Sequence, residues 1–185
     1  MFVNPEAVLA AALTLATYVG DRTDTPEERA ALYRPVAEAI AEASRTNAEA
    51  AMLVSLAFHE TNLARFVIEG RCKDGPPGQR CDGGKARGVF QLHRSACPDA
   101  WRLPDGSAES IRAEASCAIK LLRWNGKRGK GRAPSFAHAA YAGYGARDWS
   151  WDGADKRVET ARKLEQKIAS HRPPKKKPDE VADVR

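Results

Sequence analysis

Apolar residues recur at helical spacing along most of the chain, and no long segment alternates apolar and polar residues in the way that a strand does. Near the start, the apolar residues at positions i, i+3, i+4 and i+7 are Leu9, Ala12, Leu13 and Ala16. Runs of Val, Ile and Thr are scarce beside the many Ala, Glu and Arg, and this composition favours helix over sheet. The chain is therefore predicted to be mainly α-helical.

The spacing predicts six helices and no internal repeat, and the helices cover about residues 5–19, 25–43, 47–66, 107–124, 134–141 and 155–171. The second helix has the clearest start signal. Thr25 can cap it, Pro26 follows at the first helical position, and Glu28 stands three residues after the cap.

A chain of 185 residues, of which 43% are hydrophobic, has room for one ordinary domain. We expect residues 1–46 to form a helical part that packs on a domain made of residues 47–171. Residues 172–185 lack any apolar period and are predicted to be a charged tail.

Positive charge is in modest excess, since 30 Lys and Arg against 24 Asp and Glu give a net charge of +6. The stretch 120–132 holds six Lys or Arg and no acid, with Trp124 as a potential stacking residue for nucleic acid. No nucleic-acid-binding module is recognisable, so a solvated face or a site for anionic cell-wall polymer is preferred. No segment approaches the ~20 apolar residues of a membrane span.

The apolar run 8–19 is predicted to be a helix of the mature protein. It lacks the basic region that begins a secretory signal, and Pro5 and Glu6 stand where Lys or Arg would be expected. If the protein acts outside the cytoplasm, we expect something other than a standard leader to deliver it.

The chain has four cysteines, Cys72, Cys81, Cys97 and Cys117. Four cysteines can pair in three ways. We favour the two pairs that follow chain order, because each closes a short local loop. The first pair would staple a Gly-rich segment that has no apolar residues to hold it, and disulfides imply an oxidising compartment. The cysteines and histidines lack zinc-ligand spacing, so we expect no metal site and no cofactor.

Glu60 is the leading candidate for chemistry. It shares a helical stripe with Leu53, Leu56 and Ala57, and a carboxylate on an apolar face is partly desolvated, which raises its pKa towards that of a general acid. The alternative is a structural carboxylate at a helix edge, paired with Arg65 or another cation.

Three separated segments carry a resemblance. They are His59-Glu60-Thr61-Asn62-Leu63, Gly88-Val89-Phe90-Gln91-Leu92 and Ala139-Ala140-Tyr141-Ala142-Gly143. In order, these segments resemble the Glu-Ser, Gly-Leu-Met-Gln-Ile and Ala-Tyr-Asn-Ala-Gly motifs of the soluble lytic transglycosylase and goose-type lysozyme family. The resemblance covers about residues 47–150. It implies a lysozyme-like fold that cleaves the β-1,4 bond between MurNAc and GlcNAc in peptidoglycan, without a cofactor.

The resemblance also implies a role for each matching residue. Glu60 would be the catalytic acid and base, and Thr61 would keep a hydroxyl beside it. Gln91 would hydrogen-bond the sugar, and Gly88 would leave room for the glycan to approach the backbone. Tyr141 would lie across the cleft and hold Glu60 or the substrate through its hydroxyl.

Two departures from the motifs bear on activity. Ala142 directly follows the tyrosine, where the family has Asn, and Phe90 replaces the usual Met. The missing Asn removes a polar contact, which implies altered specificity or weak activity. The alternative function is therefore a glycan-binding or structural component of a virion, such as a phage tail, or of a secretion machine. Delivery by such a particle would give an extracytoplasmic site of action.

The resemblance leaves two reactions open. A lytic transglycosylase needs no water, because the substrate's acetamido group and C6 hydroxyl do the work with one Glu; such substrate assistance is a known exception to two-carboxylate hydrolysis. A lysozyme-type hydrolase must position a water, and Asp74 and Asp82 are the candidates for that role. Both precede Gly, as turn-forming aspartates do. We favour the transglycosylase.

Overall fold

The computed structural model describes residues 2–72, 81–145, 148 and 150–171, with only the backbone of Asp82. It confirms the prediction of a mainly α-helical chain. In chain order the helices are α1 (Pro5–Ala12), α2 (Pro26–Ala43), α3 (Asn47–Thr61), α4 (Arg65–Ile68), α5 (Cys81–Gly84), α6 (Ala108–Arg128), α7 (Phe136–Gly145) and α8 (Gly153–Ser170). The two short strands β1 (Ala86–Arg87) and β2 (Leu92–His93) form an antiparallel pair. The tail predicted over 172–185 lies outside the described residues.

Helix α3 is the central element of the fold. Every residue from Ala50 to Ala57 is buried, because α8 packs along it while α1, α2 and α6 also contact it. The sequence of a helix that is buried on all sides is apolar on every face rather than on one face only. Its C-terminal turn leaves the core, and this turn carries Glu60.

The ends of the helices follow local chemistry. The capping box of α2 is present as predicted, since the Glu28 N–H donates to Thr25 Oγ1 at 3.1 Å and the Thr25 N–H donates to Glu28 Oε2 at 2.8 Å. The prediction that the first helix reaches residue 19 is wrong. It ends at Ala12, where the hydroxyl of Thr14 donates to the Ala11 carbonyl at 2.7 Å and competes with helical bonding.

The third helix is also shorter than predicted and ends at Thr61 rather than near residue 66. Asn62 takes the left-handed conformation (φ 51°), and its N–H closes the last turn on the Phe58 carbonyl at 2.7 Å. Two other predicted ends move outward, because α6 continues to Arg128 and α7 runs to Gly145.

One hydrophobic core joins both predicted parts of the chain. Its fully buried members include Val8 and Ile40 from the first part and Leu53 and Leu122 from the second. Helix α1 packs against α2 and α8, and α2 packs against α6. None of the described helices is long and apolar enough to cross a membrane.

The four cysteines come together in the two local pairs favoured by the sequence. Both pairs lie at disulfide distance. The Cα atoms of Cys72 and Cys81 are 5.8 Å apart, and those of Cys97 and Cys117 are 6.1 Å apart. The first pair anchors α5 to the end of the α4 segment, next to the β1–β2 turn. The second pair ties the segment after β2 to α6.

Candidate active site

The first two of the segments singled out in the sequence, and the residue that follows the third, meet near the end of α3. The hydroxyl of Thr61 approaches the carbonyl of Val89 at 3.4 Å. The hydroxyl of Tyr144, one residue beyond the third segment, donates to the carbonyl of Phe90 at 2.6 Å. Residues far apart in sequence are thus hydrogen-bonded around the last turn of α3, where Glu60 lies.

Glu60 lies at the boundary between core and solvent, with 19% of its side chain exposed. Its Oε1 accepts a hydrogen bond from Nη2 of Arg157 on α8 at 2.8 Å. Burial raises the pKa of Glu60, and the positive charge of Arg157 lowers it by less, so the pKa stays above its ordinary value. The predicted desolvation of this carboxylate is therefore present, and so is an ion pair.

The cation that pairs with Glu60 is Arg157 and not Arg65. Arg65 instead binds Asp24 at 2.8 Å and Glu69 at 3.3 Å. Sequence reasoning missed Arg157, although a signal existed. Residues 154, 157, 161, 164 and 168 form the buried stripe of α8, so a charged residue stands on a face that buries apolar ones. Such a charge requires a partner.

The guanidinium of Arg157 is fixed from several sides. It stacks over the ring of Trp151 at 4.5 Å from the centroid. A Cβ atom added to Gly145 would lie 3.1 Å from its Nη1, so the end of α7 closely approaches this group. Nε and Nη1 of Arg157 are buried and have no hydrogen-bond partner among the described residues.

Tyr141 does not occupy the place predicted for it. Its side chain is fully buried, and its hydroxyl donates to the carbonyl of Met52 in the middle of α3 at 2.9 Å. The residue ties α7 to α3 and does not reach across a cleft. Tyr144, one helical turn later, is only partly buried, and the negative charge of Glu60 contributes to raising its pKa after burial itself. Tyr144 is therefore the tyrosine beside the carboxylate.

Gln91 lies in the turn between β1 and β2 in a left-handed conformation (φ 48°). Its Nε2 donates to the carbonyl of Gly88 at 2.9 Å and approaches Sγ of Cys81 at 3.2 Å. The side chain is half-buried, and it fixes both its own turn and the position of the turn against the Cys72–Cys81 pair. A role in binding sugar remains a prediction.

Gly88 is required for a different reason from the one predicted. Its φ is +67°, and a Cβ added there would lie 1.8 Å from Oε2 of Glu114. The space at this glycine is filled by a buried carboxylate from α6, not left open for a glycan. The prediction that Gly88 makes room for substrate is corrected accordingly.

Glu114 belongs to a buried polar cluster beneath this turn. Its side chain is 1% exposed, Ser110 donates to its Oε1 at 2.9 Å, and Nε of Arg87 lies 3.6 Å from the same oxygen. Arg87 also lies 3.5 Å from Asp105. Burial raises the pKa of Glu114 to about 7. Like Arg157, Glu114 stands among buried apolar residues of its helix, three residues after Ile111, and sequence reasoning did not single it out.

A groove of about 320 Å³ begins beside Tyr144. Its walls come from residues 91–93, 95 and 96, from Leu121, Trp124 and Asn125 of α6, and from Gly143–Gly145 of α7. Gly145 also abuts Arg157, so the end of α7 lies between the groove and the Glu60–Arg157 pair. Glu60 itself is not among the residues that line the groove.

The remaining predicted residues have simpler environments. The hydroxyl of Thr61 donates to the Ala57 carbonyl of its own helix at 2.9 Å. Asp74 and the side chain of Asp82 lie outside the described residues, so water positioning by either stays a prediction. Within the described ranges, no group of three or more His, Cys, Asp or Glu side chains could hold a metal ion.

Comparison of the chain with protein-family models, with curated proteins and with solved structures gives no match. A function must therefore be argued from the site. Its defining features are a half-buried, ion-paired carboxylate, the segments that meet near it, and the adjoining groove.

Proposed function

We propose that this protein cleaves the MurNAc-β-1,4-GlcNAc bond of peptidoglycan as a lytic transglycosylase, with Glu60 as acid and base. One observation carries the proposal. The first two segments that resemble the family's motifs, and Tyr144 directly after the third, meet near the end of α3, which carries a carboxylate whose pKa is raised by burial. A groove lined by Tyr144 and Gly145 runs along the same end of α7.

The reaction uses one carboxyl group twice. Protonated Glu60 donates its proton to the bridging oxygen as the bond from that oxygen to C1 of MurNAc breaks, and the acetamido oxygen bonds to C1. The resulting carboxylate then takes the proton of the C6 hydroxyl as that oxygen displaces the acetamido group from C1. The product ends in a 1,6-anhydro sugar, and Glu60 is again protonated.

The environment of Glu60 supports both of its states. Burial favours the neutral acid that the first step requires, and Arg157 at 2.8 Å favours the carboxylate that the second step requires. The ion pair also holds the carboxylate in one orientation. Arg157 acts through Glu60 and is a positioning residue.

The finer architecture belongs to the same proposal. We place the chain among lysozyme-like folds, with disulfides at Cys72–Cys81 and Cys97–Cys117 that hold the turn of Gln91 and the middle of α6. Disulfides and a peptidoglycan substrate agree with an extracytoplasmic site of action. Delivery within a virion or a secretion assembly fits an enzyme of this size acting locally on the wall.

The proposal is tested by the clearing of purified sacculi, followed by turbidity. Wild-type protein is expected to clear them, and Glu60→Gln to lose at least about a hundredfold of the rate, as loss of a general acid does. Glu159→Gln removes an exposed ion-paired carboxylate on α8 and serves as control. Equal clearing by wild type and Glu60→Gln would exclude Glu60 as the catalytic group.

A second function is favoured by one specific feature, the ion pair itself. A carboxylate paired with a buried arginine is also typical of a purely structural ion pair. If Glu60 has only that role, the protein is a glycan-binding component of a larger assembly. In that case wild type would bind sacculi without clearing them.

A further inference from the structure

An exposed aromatic residue lines the groove described above. Trp124 on α6 is 54% exposed, which is unusual for an indole in a compact domain. The guanidinium of Arg128 lies 4.3 Å above its ring. Trp124 therefore brings an aromatic ring and a positive charge together at the wall of the groove.

Three cations surround this indole. Lys120, Lys127 and Arg128 stand four residues before, three after and four after Trp124, which are the neighbouring positions on a helix surface. All three are exposed. No described acid pairs with any of them, whereas the intervening Arg123 is bound to Glu49 at 2.7 Å. We call Trp124 and these three cations the α6 cationic cluster.

The sequence leaves the α6 cationic cluster uncompensated over a long stretch. Between Glu114 and Asp148 there are seven Lys or Arg and no acidic residue. Neighbouring like charges on one helix face repel each other. An anionic group bound there would relieve that repulsion as well as gain its own contacts.

The groove itself has a different character from the α6 cationic cluster. Among the described residues that line it, none is Lys, Arg, Asp or Glu, and the polar ones include Gln91, Ser95 and Asn125. Neutral hydrogen-bonding groups suit an uncharged sugar. A polyphosphate chain would instead need cations along its whole path and a series of stacking rings.

We infer that the α6 cationic cluster binds the carboxylates of a peptide attached to a glycan whose sugars lie in the groove. This inference rests on the proposed function and specifies its substrate: the protein prefers glycan strands that carry peptides to strands without peptides. Peptidoglycan strands carry such peptides on alternate sugars, so a strand that passes Glu60 places carboxylates beyond the groove. The complementary charge on α6 selects them.

The test measures binding without cleavage, with the full chain carrying Glu60→Gln. The two probes are soluble glycan oligomers that keep their peptides and the same oligomers after the peptides are removed enzymatically. We expect the peptide-bearing oligomers to bind about tenfold more tightly at low salt, and the preference to shrink as salt screens the charges.

A triple substitution isolates the α6 cationic cluster. Adding Lys120→Gln, Lys127→Gln and Arg128→Gln should abolish the preference and leave binding of the peptide-free oligomers unchanged. The matched control is Arg162→Gln, Lys163→Gln and Lys167→Gln, which removes the same charge from exposed positions of α8 and should retain the preference. An unchanged preference in the α6 triple variant, or its loss in both variants, would overturn the inference.

Two further outcomes separate this inference from the proposed function. If wild type clears sacculi but its inactive form binds both oligomers equally, the inference fails and the function stands. If wild type does not clear sacculi but binding still depends on the peptide and on the α6 cationic cluster, the function fails and the inference stands. Tighter binding of a single-stranded oligonucleotide through the same three cations would overturn the inference in favour of a nucleic-acid surface.

Discussion

Glu60 is subject to two opposing influences, and the balance between them sets the pH range in which it can act. Burial raises its pKa and Arg157 lowers it. As a general acid Glu60 acts only while protonated, so the cleavage rate falls as pH rises through this pKa. The position of that alkaline limb therefore reports directly on the Arg157 charge.

Replacing Arg157 by Gln should move the alkaline limb to higher pH, because it removes the charge that favours the carboxylate. Arg157→Lys keeps a positive charge in the same place and should leave the limb near its wild-type position, whatever the rate lost from poorer geometry. The measurement is the pH profile of sacculus clearing for the three proteins. A limb that is the same in wild type and Arg157→Gln would show that this ion pair does not tune the acid.

Among the elements, the turn from Gly88 to Gln91 depends most closely on its neighbours. It lies on Glu114, bonds to Tyr144 through the Phe90 carbonyl and is held by the Gln91 side chain. Gly88 combines a positive φ with a close approach, and each of these has its own cost for a larger residue.

Two glycine substitutions separate those costs. Gly88→Ala should lower the free energy of unfolding by about 3 kcal/mol, because it adds a clash with Glu114 to the strain of positive φ. Gly131→Ala has a similar φ of +78° with nothing within 4 Å of the new Cβ and should cost only about 1 kcal/mol. Chemical denaturation measures both. Equal losses would show that the Glu114 contact does not constrain the turn.

How much could be predicted from sequence differs between elements for physical reasons. The start of α2 was predictable because Thr25 and Glu28 form a local hydrogen-bonded box that needs no tertiary partner. The burial of Glu60 followed from its position on an apolar stripe. The six helices and both cysteine pairs also followed from local spacing.

What was not predictable depends on long-range packing. Helix α7 is apolar on nearly all sides, so its sequence does not show whether Tyr141 or Tyr144 faces α3. The partners of Arg157 and Glu114 lie 97 and 27 positions away along the chain, on α3 and β1. The sequence shows Arg157 and Glu114 as charges on buried helix faces. It does not show which distant residue of opposite charge pairs with each of them.

At the scale of the whole molecule, Glu114 makes stability depend on pH. Its pKa is about 7 in the folded protein against an ordinary value of 4.5, so the folded state holds a proton that the unfolded state has lost between these values. The contribution of Glu114 to the free energy of unfolding therefore falls as pH rises from 4.5 to 7, and it stays constant above pH 7. At ~1.4 kcal/mol per pH unit the total is roughly 3 kcal/mol.

Glu114→Gln keeps the shape of the side chain and removes the titration. The variant should be more stable than wild type at pH 8, and the difference should shrink towards pH 4.5. Urea unfolding across this range measures both proteins. A wild-type slope retained in Glu114→Gln would assign the pH dependence to another group.

The central claim is that Glu60 cleaves the glycan through the C6 hydroxyl of the substrate, and the products record this directly. Mass spectrometry of the fragments released from purified sacculi by wild type and by Glu60→Gln decides it. We predict fragments that end in 1,6-anhydro sugars from wild type and none from Glu60→Gln. Reducing ends from wild type would contradict the account, since a water would then have attacked, and Asp74 and Asp82 would become the residues to test.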